Sequence, residues 1–131
     1  MAVRSSQEDF LLRELRKVAA MIARALGFRA QGDLPAARAE IDTAYATLLG
    51  PQSALLRMLD PPSAARLIGN SKKLAALARL TSTEAALADE NGNHEAERRL
   101  ATRARSFAEE AVKMDPRDDD AMEILRDLRA H

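Results

Sequence analysis

Four of the five glycines in this 131-residue chain, Gly32, Gly50, Gly69 and Gly92, stand where a run of apolar residues spaced three and four apart stops. A glycine there closes a helix, because it enters the left-handed backbone region that other residues avoid. Residues that open helices alternate with these stops. Ser5 has Glu8 three positions on, the pattern of a capping box, with Ser6 and Asp9 in a second register. Asp33 precedes Pro35, Ser71 follows Gly69 and Asn70, Asn93 follows Gly92, and Asp118 opens the last element. Stops and starts in this order predict helices joined by short turns.

The apolar residues agree. Ala and Leu supply 27 and 18 of the 61, against 7 for Val and Ile together, so helix formers outnumber the β-branched types that suit strands. The expected fold is all-α, in a single domain over 1–131 long enough to bury roughly two-thirds of its unfolded surface. Leu11, Leu15, Val18, Ile22 and Ala25 mark a first helix over about 7–29, and Ala37, Ile41, Ala44 and Leu48 a second to 49. Only a short turn separates them, which predicts an antiparallel pair over 7–49. Pro51, Pro61 and Pro62 break 52–69 into two short helices. A second long antiparallel pair follows over 71–114. Leu74, Leu77, Leu80 and Leu87 line its first member, and Ala96, Leu100, Ala104, Phe107 and Ala111 its second. A helix within 118–129 offers Met122, Leu125 and Leu128 to cap the open end.

Charge narrows the partners. Lys plus Arg and Asp plus Glu number 20 each, which weighs against a nucleic-acid binder, since phosphate-backbone affinity needs a basic excess. Residues 1–80 carry 12 basic and 7 acidic side chains and residues 81–131 carry 8 and 13, so the halves stand at +5 and −5. Such a molecule pairs its own helices electrostatically or associates head to tail. The absence of cysteine, the lack of an apolar export segment near Glu8 and Asp9, and a longest uncharged run of only 14 residues (43–56) lead us to expect a cytoplasmic protein without a membrane span.

Motifs of known chemistry fall short. Asp89, Asn91 and Asn93 alternate like a calcium loop, but His94 stands where that loop needs Gly and Leu100 where it needs Glu. His94 beside Asp89 or Glu90 has only His131 as a second imidazole, so no metal or cofactor is expected. Gly69 with Lys72 and Lys73 resembles part of a phosphate loop, yet Ala64 replaces its first glycine and no strand precedes it. Ser71 as a cap explains the same residues. Arg98, Arg99, Arg103 and Arg105 form the densest basic cluster, the one place for an alternative nucleic-acid role, but Glu95, Glu97, Glu109 and Glu110 surround them at spacings that allow pairs such as Glu95 with Arg99. The aromatics Phe10, Phe28, Tyr45 and Phe107 read as core filling. A small-ligand site inside the helices is a further alternative. No catalytic residue stands out, and a non-enzymatic role is expected.

The stretch 30–46 resembles the heart of a tetratricopeptide (TPR) repeat. Gly32 and Asp33 match its turn, Ala37 and Ala44 its small positions, Ala25 and Phe28 its first helix, and Ile41 takes a place the family usually gives to an aromatic. Ala104, Ala108, Ala111 and Pro116 are similar to the end of such a repeat, with Met122 and Leu125 starting another. The glycine turns at 32 and 92 are 60 residues apart, against about 34 in tandem repeats, and the proline-broken segment lies between them. The layout resembles small bacterial TPR-like proteins. That likeness implies a scaffold that binds a protein partner, or a copy of itself as a homodimer. It also implies a concave surface lined by the first helix of each pair, with Arg29, Arg79 and Asp89 as contacts.

Overall fold

The computed structural model describes residues 5–130, and every regular element among them is helical. The helices are α1 (Ser6–Ala30), α2 (Leu34–Leu49), α3 (Ser53–Met58), α4 (Pro61–Ile68), α5 (Ser71–Glu90), α6 (His94–Met114) and α7 (Asp119–Arg129), with a 3-10 turn over Gly50–Gln52.

Two turns of the same construction set the architecture. The Asp33 amide donates to the Phe28 carbonyl at 2.9 Å and the Gly32 amide to that of Arg29 at 3.0 Å, which closes α1. Asp33 Oδ1 then accepts from the Ala36 amide at 3.1 Å and opens α2. One residue thus finishes a helix and starts the next. At 91–93 the Asn93 amide reaches Ala88 at 2.9 Å, the Gly92 amide reaches Asp89 at 3.0 Å, and Asn93 Oδ1 accepts from Ala96 at 3.1 Å. Both glycines sit at φ 79°, where a Cβ costs roughly 1–2 kcal/mol. Because each turn satisfies the helix end on both sides, it is short and stiff. α2 therefore packs back on α1, and α6 on α5.

The helix α5 is the centre of the molecule and packs against α1, α2, α4, α6 and α7. Its Leu74, Leu77, Ala78 and Leu80 are buried. Ala37, Ala44, Ala104, Ala108 and Ala111 show no exposed surface at all, so the helices approach over methyl groups. Ile41 is buried beside the first two as the spacing predicts. No described helix is long and apolar enough to cross a membrane.

Several local expectations need correction. Asn70, not Ser71, caps α5 by accepting from the Lys73 amide at 3.0 Å; the Ser71 hydroxyl instead donates to Asp118 Oδ2 at 2.8 Å. Asp60, unmarked in the sequence reading, caps α4 through the Ser63 amide at 3.1 Å, with the extended backbone that a following proline imposes. Phe10 is 58% exposed because α1 has 25 residues to the 16 of α2 and overhangs it. On α7 the buried stripe is Ala121, Ile124 and Leu125, and Met122 faces outward. Asp118, held by Ser71, fixes the rotation of that helix, and Met122 lies about 100° round from Ala121.

Candidate functional site

Where α1 and α5 lie side by side, small residues leave an open channel. Ala19, Ala75 and Ala76 keep it wide, Val18 and Ile22 form its floor, and Leu12 and Leu15 extend it toward the start of α1. Its volume is about 350 Å³. Four charged residues stand around this apolar bed: Arg16, Lys72, Arg79 and, from α7, Asp120. Lys72 lies 3.9 Å from Asp120 and 3.7 Å from Asp118, so those charges offset one another. Among the described residues Arg16 and Arg79 form no ion pair, and both are exposed.

Of the three contact residues named from sequence, only Arg79 belongs to this channel. Arg29 reaches Glu90 at 3.4 Å and links the ends of α1 and α5. Asp89 lies 3.2 Å from His94 Nδ1 at the α5–α6 turn. Glu97 approaches the same nitrogen at 3.5 Å, and the three groups are near enough to meet one ion. Asp89 and His94 are exposed there and Glu97 is half-buried. His131 lies outside the described residues.

A second polar centre went unnoticed in the sequence. Glu84 projects from α5 into the interface with α2 and is 7% exposed. Tyr45 donates to its Oε1 at 2.6 Å, Arg38 to its Oε2 at 2.7 Å, and Arg57 to the same oxygen at 3.4 Å. The Arg57 guanidinium also stacks over the Tyr45 ring, 3.8 Å from its centroid. Burial first, and then the Glu84 charge, push the Tyr45 phenol well above its ordinary range. This is how a carboxylate survives in an apolar core, with both oxygens accepting hydrogen bonds and two guanidinium groups beside it. The signal available in the sequence was Glu84 itself, which falls on the Leu77, Leu80 and Leu87 side of α5.

The arginine cluster on α6 does not form one face. Arg103 is half-buried and donates to the carbonyls of Leu59 at 2.7 Å and Leu56 at 3.1 Å, capping α3 and holding the proline-broken segment on the bundle. Its guanidinium lies 4.7 Å over the Phe107 ring. Arg99, one turn earlier, faces the same cavity, whereas Arg98 and Arg105 lie on another side of the helix. Lys72 of the phosphate-loop-like stretch is occupied by Asp118 and Asp120.

Comparison with protein-family models, with curated proteins and with solved structures finds no match.

Proposed function

We propose that the chain is a non-enzymatic protein-interaction module with a TPR-like stack of helix pairs, whose α1–α5 channel takes up a partner segment bearing apolar and acidic side chains. The observation that carries this reading is the pairing of an open apolar bed with two uncompensated rim cations, Arg16 and Arg79. Positive charge beside an apolar surface selects for acidic neighbours in the ligand. From Leu12 to Ile22 the channel follows about 15 Å of helix, the length of roughly ten helical residues. The TPR-like reading draws support from the order of packing, in which α1 contacts α2 and α5, and α5 contacts α6 and α7. In that family the first helices of successive pairs form the concave binding face, and on this reading α1 and α5 would be those helices. The cysteine-free chain suits a reducing, cytoplasmic compartment.

Selection from a displayed library of random helical peptides tests this. Enriched segments are expected to carry Asp or Glu beside Leu or Ile, and the double variant Arg16→Glu/Arg79→Glu should bind them at least about tenfold more weakly. Enrichment of neutral or basic segments, or unchanged affinity in the double variant, would refute it. Light scattering on the same protein shows whether a second copy of the chain is the occupant.

A further inference from the structure

Between α2, α3, α5 and α6 lies a cavity of about 220 Å³, separate from the α1–α5 channel. Its walls mix Leu49, Leu77 and Phe107 with Tyr45, Glu84, Arg57, Arg99 and Arg103. An open groove bounded by Arg38, Asn93 and the start of α6 shares Glu84, Arg99 and Leu100 with it and gives it access to solvent. Four guanidinium groups thus surround one carboxylate.

The hydrogen-bond inventory is lopsided. Both oxygens of Glu84 already accept, from Tyr45 at one and from Arg38 and Arg57 at the other. The Tyr45 proton is committed to Glu84 and that of Thr81 to the Leu77 carbonyl at 2.7 Å. Arg103 spends two of its five N–H groups, both on neutral carbonyls; the Asp60 and Glu84 charges act on it from a distance, but no carboxylate forms an ion pair with it among the described residues. Arg99 makes no ion pair among the described residues. The remaining capacity is therefore mostly guanidinium N–H donors, and four guanidinium groups face the single lining carboxylate, Glu84.

We propose that this cavity binds a small anion, a carboxylate or phosphate group on a compact molecule, held between Arg99 and Arg103 with Arg57 as a third donor. Planar guanidinium groups match the paired oxygens of either anion. The volume falls below that of sites for drug-sized ligands, which limits the molecule to a few heavy atoms beyond the anionic group. Phe107, stacked beneath Arg103, and the flanking leucines would contact its apolar part. The site stands apart from the proposed peptide channel, and the failure of either leaves the other untouched.

Isothermal titration of the full chain with inorganic phosphate, and separately with succinate, at constant ionic strength set by chloride, tests it. The expected result is saturable binding to one site for at least one of the two, and which one identifies the anion class. Arg103 supports α3, so Arg103→Gln risks the fold; Arg99→Gln, at an exposed position, is the variant that decides. It should weaken binding at least tenfold, while Arg98→Gln, on another side of α6, should leave it unchanged. Absence of saturable binding with both anions, or an equal loss in the two variants, would overturn the proposal.

Discussion

Tyr45 Oη and Glu84 Oε1 lie 2.6 Å apart, and this one contact crosses from α2 to α5 through the interior of the molecule. Helices packed only by alanine and leucine can slide or rotate with little loss, because one methyl replaces another. A buried, fully paired carboxylate has one position in which its donors reach it. Glu84 therefore fixes the register of the first helix pair on the second, with Arg38 and Arg57 closing the network at the surface.

Removing the phenolic hydroxyl measures that contact. Tyr45→Phe strands one buried oxygen of Glu84 and is expected to lower stability by about 1–3 kcal/mol in chemical unfolding. The folded phenol is held above its unfolded value, so the stabilisation is complete below about pH 10 and declines as pH rises further. Tyr45 is the only tyrosine in the chain, so phenolate absorbance reports this group alone. Its ionisation should coincide with alkaline unfolding; titration at an ordinary value in the folded protein would contradict the buried geometry.

Two glycines separate backbone from side-chain effects. Gly32→Ala places a Cβ at φ 79° and should destabilise by roughly 1–2 kcal/mol, although no atom lies within 4 Å. Gly27, inside α1 with equally open surroundings, should gain about 0.5–1 kcal/mol on becoming Ala. Thermal unfolding of the pair checks both signs.

Close helix approach is tested at Ala44, which has no exposed surface. Ala44→Leu is expected to cost about 1–3 kcal/mol by overpacking, and Ala39→Leu, on the exposed side of α2, to stay within about 0.5 kcal/mol of the parent. Equal effects would mean that α2 lacks the buried alanine seam.

Asp118 links α7 to α5. Burial alone would raise its carboxyl, but the Ser71 hydroxyl, the Ala121 and Asp120 amides and the Lys72 ammonium outweigh that and hold it below the usual range. A depressed carboxyl contributes stability above its unfolded value near 4, and the contribution fades as pH falls through the folded value. Asp118→Asn should therefore lose about 1–2 kcal/mol at neutral pH and show a shallower fall in stability below pH ~4.

Local chemistry explains what could be read from the sequence. Gly32, Asp33, Gly92 and Asn93 determine their turns within five residues, and all four glycines assigned to helix ends have positive φ while Gly27 lies within α1. Ala37, Ile41 and Ala44 were legible because helical spacing puts them on one buried stripe. The polar centre was not. Tyr45 and Glu84 stand 39 positions apart, and only the packing of α2 on α5 brings them together. Arg103 reads as surface charge because the carbonyls it caps, at the end of α3, lie 44 and 47 residues earlier. The repeat-like pattern points to Arg79, but Arg16 and the channel they share depend on how α1 lies against α5.

The most direct measurement is an amide chemical-shift map by nuclear magnetic resonance, recorded as an acidic, leucine-containing helical peptide from the selection is added. Shifts confined to Leu12–Ile22 of α1 and Lys72–Arg79 of α5 are the expected result. Shifts centred on α3, or on the outer side of α6, with the α1–α5 channel unmoved, would contradict it.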